Sequence, residues 1–446
     1  VAIRPGDVVD AGGKVVVPAG GITCFNLAGR DWLGRPMQMD LTVPEGKVQA
    51  MWLGMQIPPD ASAGLHRGEV TVSAEGAPPA KVSLEIEVAG EKLPDCGDGE
   101  LWRLSRLRWL NSDLGVDGEL VPPFTAVTVN GDEVGVLGRR IRFGETGLPA
   151  SIVSTFAATP DRTDAPSREI LNGPVAFIAQ TPGGAAQWKS QPAKLLRQAP
   201  GAVYRQSDSQ AGPLRLSCWS KTECDGYTNF RIKLTADAAV TLTDAPLEIP
   251  FHRDVARYLM GMGRKGGLRP EKLNWKWDRN KHQDAVWIGD VNAGLQVKLK
   301  GPAYTWPNVN IHYRARPLDM PGAWVNGGKG GCDVIENGDS VLLRVYAGPR
   351  ELQAGQTLEF HLGLLVTPAK PIRPAEHWAT RYYHTGGDSS VDAAAAAGAT
   401  VINLHQGGRL NPYINYPFLT LDSLKKWIDA AHAKGMKAKI YYTLRE

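Results

Sequence analysis

The spacing of apolar and polar positions changes character once along this chain. Residues 81–88, Lys-Val-Ser-Leu-Glu-Ile-Glu-Val, alternate with period 2, the pattern of a strand with one buried face. Short apolar runs at 15–17 and 70–72 read the same way. Residues 51–57, a turn at Pro58-Pro59-Asp60 and residues 64–70 add a strand, a Pro-rich turn and a strand. This predicts an immunoglobulin-like β-sandwich over residues 1–92. Residues 91–100 carry Pro94 among Gly and Asp without an apolar period, which marks a linker.

From 93 to 372 strand patterns continue, punctuated by Asn130-Gly131, Asn326-Gly327-Gly328 and Asn337-Gly338. Asn-Gly suits the positive φ of tight hairpin turns. The span exceeds the about 100 residues of one immunoglobulin module, so a large two-sheet β-sandwich is expected. Its last strand, 357–366, gives way to Pro368, Pro371 and Pro374.

Past residue 373 the rhythm lengthens. A short strand at 381–384 precedes a helix capped by Ser389 or Ser390, with Asp392 and Ala393–Ala397 inside it and Gly398 ending it. Residues 400–404 form a β-branched strand. Thr420 is expected to cap a second helix whose Leu421, Leu424, Trp427, Ile428 and Ala431 share one stripe; Gly435 closes it, and 438–444 is a third strand. Alternating strands and helices imply parallel βαβ units. The segment is far shorter than the about 250 residues of a full barrel. The fold class is therefore mostly β with a C-terminal α/β part. In order it reads as an immunoglobulin-like sandwich (1–92), a large β-sandwich (93–372) and the first three strands of a truncated (β/α)8 barrel (373–446).

Composition narrows the function classes. A net charge of +4 with interspersed signs gives no nucleic-acid surface. No apolar run reaches the roughly 18–20 residues of a membrane span. Cys24, Cys96, Cys218, Cys224 and Cys332 fit neither a dense disulfide framework nor a zinc site; Cys218 and Cys224 could meet across a hairpin, but separate thiols are the plainer reading. No metal cluster or cofactor motif is visible, so no cofactor is expected.

Several motifs have plain readings. Gly261-Met262-Gly263-Arg264-Lys265-Gly266 fits G-x-G-x-x-G, yet Gly267 and Pro270 follow in β-rich surroundings, so it reads as a turn. Trp275-Lys276-Trp277-Asp278, with Asp284, Trp287 and Asp290, could stack and hydrogen-bond a sugar; packing of Trp275 and Trp277 is the plainer account. Arg103, Arg106 and Arg108, and Asp113 with Glu119, read as solvated charge. In barrels the chemistry sits at the C-terminal ends of the strands. That rule selects His384 and Asp388 after the first strand, Asn403, His405 and Gln406 after the second, and Thr443, Arg445 and Glu446 after the third. His384, Asn403, His405, Arg445 and Glu446 are the candidate substrate contacts.

Residues 261–263 with 275–278 and 284–295 (Asp-Ala-Val-Trp-Ile-Gly-Asp-Val-Asn-Ala-Gly-Leu), residues 57–68 and Tyr382-Tyr383-His384-Thr385-Gly386-Gly387 together resemble the glycoside hydrolase family 123-like enzymes, characterised as β-N-acetylgalactosaminidases. The resemblance implies retaining, substrate-assisted hydrolysis of a glycan, oligosaccharide or glycoconjugate, outside the usual two-carboxylate scheme. It implies a secreted or periplasmic bacterial setting. It also implies an adjacent Asp-Glu pair on a later barrel strand. No such pair occurs in 373–446, and Asp132-Glu133 sits in a hairpin turn, so the acids are expected beyond residue 446. A non-catalytic carbohydrate-binding or surface protein is the alternative, and a polysaccharide lyase a third reading.

Overall fold

A computed structural model describes residues 1–30, 36–97, 99–100, 117–281, 283–302, 319–413 and 416–441. The chain is mostly β. Residues Ala2–Pro5, Val8–Val9, Val15–Val17, Gly64–Ala74 and Ala77–Val88 form an antiparallel five-stranded sheet, with Gly64–Ala74 pairing on both sides. Ile22–Cys24 pairs with Leu53–Met55 in a separate ribbon. The strict alternation at 81–88 is visible in the fold. Leu84, Ile86 and Val88 turn inward while Ser83, Glu85 and Glu87 stay exposed. The core they help to close is small: Val8, Val16, Val17 and Ile22, with Met55, Ile57 and Ile86 against it.

Among the described residues the central body has one contiguous core, fed by three large sheets and by the ribbon of Val240–Leu242 with Arg350–Leu352 rather than by two sheets. The first is a five-stranded meander from Thr128–Asn130 to Arg168–Glu169. The second has ten strands, with Leu214–Glu223, Tyr227–Ala236, Thr357–Thr367 and Ala293–Lys300 side by side at its centre. The third places Leu247–His252 and Ser340–Tyr346 between Ala176–Phe177 and Gly331–Asn337. Phe360, fully buried, meets Phe177 at 5.1 Å and Trp324 at 4.7 Å between ring centroids.

The turn chemistry acts locally. Gly131 (φ 59°) and Gly338 (φ 63°) close the hairpins expected at the two Asn-Gly pairs. Asn326-Gly327-Gly328 does not close a hairpin. Asn326 adopts φ 45° at the end of the short helix Gly322–Val325, and its amide donates to the Ala347 carbonyl at 2.8 Å. Residues 261–266 link two antiparallel strands, Tyr258–Gly261 and Arg264–Leu268. The strand–turn–helix of a dinucleotide site is therefore absent there. Trp275 is buried in the core and Trp277 packs edge-on against it at 4.7 Å, so the two indoles pack the body. Cys218 and Cys224 do not face each other across a hairpin. Cys218 lies within the strand Leu214–Glu223 and Cys224 just past its end, so five residues of extended chain lie between them. Cys24, Cys218, Cys224 and Cys332 are free thiols. Arg103, Arg106, Arg108 and Asp113 lie outside the described residues.

The C-terminal segment is α/β. Tyr382–His384, Val401–Leu404 and Lys437–Ile440 form a parallel sheet in chain order. Helices Val391–Ala396 and Leu421–Ala433 form the crossovers. Ser390, not Ser389, caps the first helix by accepting from the Ala393 N–H. Thr420 precedes the second helix without capping it; its hydroxyl donates to the Leu410 carbonyl at 2.7 Å. This segment has its own core, in which Leu424, Trp427 and Ala431 pack on Ile402 and Leu404. Among the described residues no helix is long and apolar enough to cross a membrane.

Candidate active site

Side chains alternate across a strand, so each of the three parallel strands has two different faces. Tyr383, Ile402, Leu404, Ala438 and Ile440 turn to the helices and join their core. The opposite face takes the residues in between: Tyr382, His384, Val401, Asn403, His405, Lys439 and Tyr441. In register, His384 lies opposite Asn403, and Asn403 opposite Lys439. The Tyr441 N–H donates to the Leu404 carbonyl at 3.0 Å, an ordinary ladder bond.

Three rings at the C-terminal strand ends lie nearly parallel. The His384 and His405 rings are 5.5 Å apart with planes 14° apart, and His405 and Tyr441 are 4.7 Å and 21° apart. Tyr441 remains 36% exposed, and Lys439 lies over Tyr382 at 5.4 Å. His405 Nδ1 is 3.2 Å from the Gln406 carbonyl. A carbonyl only accepts, so Nδ1 is the donor in this contact.

Asn403 is 5% exposed and its Nδ2 has no acceptor among the described residues. A buried amide donor without a partner costs about 1–3 kcal/mol, so the site holds an unmet demand for an acceptor. The backbone around it is fixed. Ser389 Oγ donates to the Asn403 carbonyl at 2.9 Å and receives a hydrogen bond from the Thr385 hydroxyl at 2.8 Å. The Trp427 indole donates to the Ser389 carbonyl at 2.8 Å.

Asp388 is already engaged. Its carboxylate accepts the N–H groups of Arg409 at 3.1 Å and Leu410 at 3.2 Å, and so ties the first strand-end loop to the second. Gln406 Oε1 and Asn411 Nδ2, in the loop after the second strand, are buried without partners among the described residues. Of the sequence-selected residues, the structure brings together His384, Asn403 and His405. Thr443, Arg445 and Glu446 lie outside the described residues. Tyr441 was missed, although it stands one residue past Ile440 as His405 stands one past Leu404. Among the described residues no cluster of His, Cys, Asp and Glu could hold a metal ion.

The family model described as the third domain of glycoside hydrolase 123 matches residues 127–368, more than half of the chain. The TIM-barrel domain of the same family matches residues 373–446. No curated protein matches the chain. Solved structures that align with the chain include a GalM/aldose epimerase homologue from C. elegans, at 6% identity, TM-score 0.32, 55% coverage of this chain and 98% of that one. The α-N-acetylgalactosaminidase NagBb from Bifidobacterium bifidum, in complex with GalNAc, aligns at 10% identity and TM-score 0.33, covering 70% of this chain and 58% of that one. The heparan sulfate lyase HepC from Pedobacter heparinus aligns at 8% identity and TM-score 0.29, covering 60% and 41%.

Proposed function

This chain belongs to the glycoside hydrolase 123 family, and from that premise we propose that it serves exo-acting hydrolysis of β-linked N-acetylgalactosaminides with retention, assisted by the substrate's own acetamido group. One observation carries the placement of the sugar. At the C-terminal ends of three parallel strands, three near-parallel rings adjoin a buried amide donor without an acceptor. Active sites of barrels lie on that face. Rings offer a flat apolar surface, and Asn403 Nδ2 suits a sugar hydroxyl or acetamido oxygen.

In this reading the acetamido oxygen attacks the anomeric carbon as the glycosidic bond breaks, and a neighbouring acid protonates the leaving oxygen. Water then opens the cyclic intermediate. One carboxylate orients the amide and stabilises the positive charge that develops on the substrate as its cyclic intermediate forms. His384, Asn403 and His405 contact the substrate, and Tyr441 joins them. Residues 373–446 hold no adjacent Asp-Glu pair, and Asp388 is committed to two backbone N–H groups.

The test is release of nitrophenol from nitrophenyl β-N-acetylgalactosaminide by the protein. If the protein binds the sugar without turnover, the hydrolase reading fails and the carbohydrate-binding alternative replaces it. Release from other glycosides alone overturns the substrate but keeps the class.

A further inference from the structure

Three consecutive residues after the first parallel strand each hold a different element. Asp388 accepts the N–H groups of Arg409 at 3.1 Å and Leu410 at 3.2 Å. Ser389 donates to the Asn403 carbonyl at 2.9 Å, and its own carbonyl receives the Trp427 indole at 2.8 Å. Ser390 caps the helix Val391–Ala396. Trp427 belongs to the core of the C-terminal segment and Ser389 is 3% exposed. The stretch is therefore tied to that core through Ser389 and to a helix through Ser390, and offers a fixed support for whatever Asp388 holds.

The loop after the second strand hangs between the first two of these residues. Asn403 is held at one end by Ser389, and Arg409 and Leu410 at the other by Asp388. Within the loop Gly407 adopts φ 85° and Gly408 follows it, so two of the residues that restrict a backbone least stand side by side. The Gly407 N–H donates to the Asn411 carbonyl at 2.8 Å and closes the turn. His405 lies in this span, its ring 5.5 Å from His384 and 4.7 Å from Tyr441. Gly408 matches the clasp: a Cβ there would overlap Asp388 Oδ1, so alanine at 408 and the carboxylate cannot both keep their places. The Arg409 side chain is 90% exposed and its Nε stands 3.9 Å from the carboxylate, so the hold runs through the backbone.

We infer that Asp388 is a positioning residue of the strand-end site. With Ser389 it fixes both ends of a glycine-rich loop, and so holds the His405 imidazole nearly parallel to the His384 and Tyr441 rings, ready for the sugar. A carboxylate accepting two N–H groups makes charge-assisted bonds, stronger than the neutral contacts that close the rest of the loop. The hold is set before the sugar arrives, so binding does not bear the entropic cost of ordering the loop. That His405 meets a sugar rests on the hydrolase reading above; that Asp388 sets His405 does not.

Asp388→Ala and Gly408→Ala break the clasp from its two sides, and Asp388→Asn keeps an acceptor oxygen in place. NMR of isotope-labelled histidine, with His405→Gln to assign the signal, reads the imidazole with no sugar present. In the two alanine variants the His405 ring signals move towards those of a free histidine as the neighbouring rings lose their alignment; in Asp388→Asn they stay near the native position. Hydrogen exchange keeps Val401–Leu404 protected in all three. With nitrophenyl β-N-acetylgalactosaminide, KM rises at least about tenfold in the alanine variants while kcat stays within about threefold, the pattern of a contact made alike in ground and transition states. Unmoved His405 signals in both alanine variants overturn the inference. Loss of protection across Val401–Leu404 overturns it too, because Asp388 would then hold up the segment rather than orient one loop. Signals that move while KM stays put remove the loop from the site. A native protein that does not turn the sugar over refutes the hydrolase reading alone, since the imidazole signals still decide whether Asp388 sets His405.

Discussion

Arg139 shows how much one side chain can join. Its guanidinium is buried and donates to four carbonyls: Leu137 at 2.9 Å, Asp225 at 2.7 Å, Val366 at 2.9 Å and Ala369 at 2.6 Å. Burial holds it down to about 10, below its ordinary range, but still charged at neutral pH. Arg139→Met leaves these carbonyls without their donor, and we expect a loss of about 3 kcal/mol in urea unfolding. Lys300 makes a second prediction at this scale. Its folded value is depressed below the unfolded one, so the unfolded chain binds more protons between about pH 8 and the usual lysine range. Its contribution makes stability rise as pH increases through that window, and Lys300→Met flattens the rise in denaturation curves measured from pH 7 to 10. Neither role was legible in the sequence. Both arise from partners tens to hundreds of positions away, and Arg139 reads there as one more charge in an alternating strand. His384, Asn403 and His405 were legible because the strand-end rule needs only local position. Tyr441 was reachable by the same count and was missed because attention went to the charged residues beyond it.

Single elements were read best where their signals are local. Asn-Gly at 130–131 and 337–338 closes hairpins because both glycines need positive φ. The helical stripe of Leu424, Trp427 and Ala431 points into the core as its spacing requires. Thr420 makes no side-chain cap; its hydroxyl instead donates to the Leu410 carbonyl, a partner that no local pattern announces. Trp427 both packs and donates to Ser389, in a core that shares no residue with the large one. Trp427→Ala should therefore cost about 3–5 kcal/mol locally. Hydrogen exchange should show protection lost in Val401–Leu404 and Leu421–Ala433, and kept in Tyr227–Ala236. Equal loss in both places would mean that the two cores unfold as one.

The whole molecule is where sequence reading ran shortest. The central strand Tyr227–Ala236 pairs with Thr357–Thr367, more than a hundred residues away, and no local period announces that partner. The change from period 2 to helical spacing near residue 373 was legible, and the number of sheets behind the large core was not. One shared core predicts one cooperative transition for the central body. Phe360→Ala, which strips the contacts to Phe177 and Trp324, should lower that transition by about 3–5 kcal/mol. In calorimetry the transition of the C-terminal segment should stay where it is.

The two unlike faces of the three-stranded parallel sheet also set how the gene can change length. Deleting one codon within Val401–Leu404 would turn Ile402 and Leu404 away from the helices and push Asn403 beneath them, because side chains alternate strictly along a strand. Two codons removed together would keep the faces but shorten the strand. Codons gained between Gly407 and Arg409 would be absorbed by a turn, provided Asp388 still reaches the Arg409 and Leu410 N–H groups. Length variation in this part of the protein should therefore collect in its loops, while the strands tolerate substitutions on either face but not a change in their count.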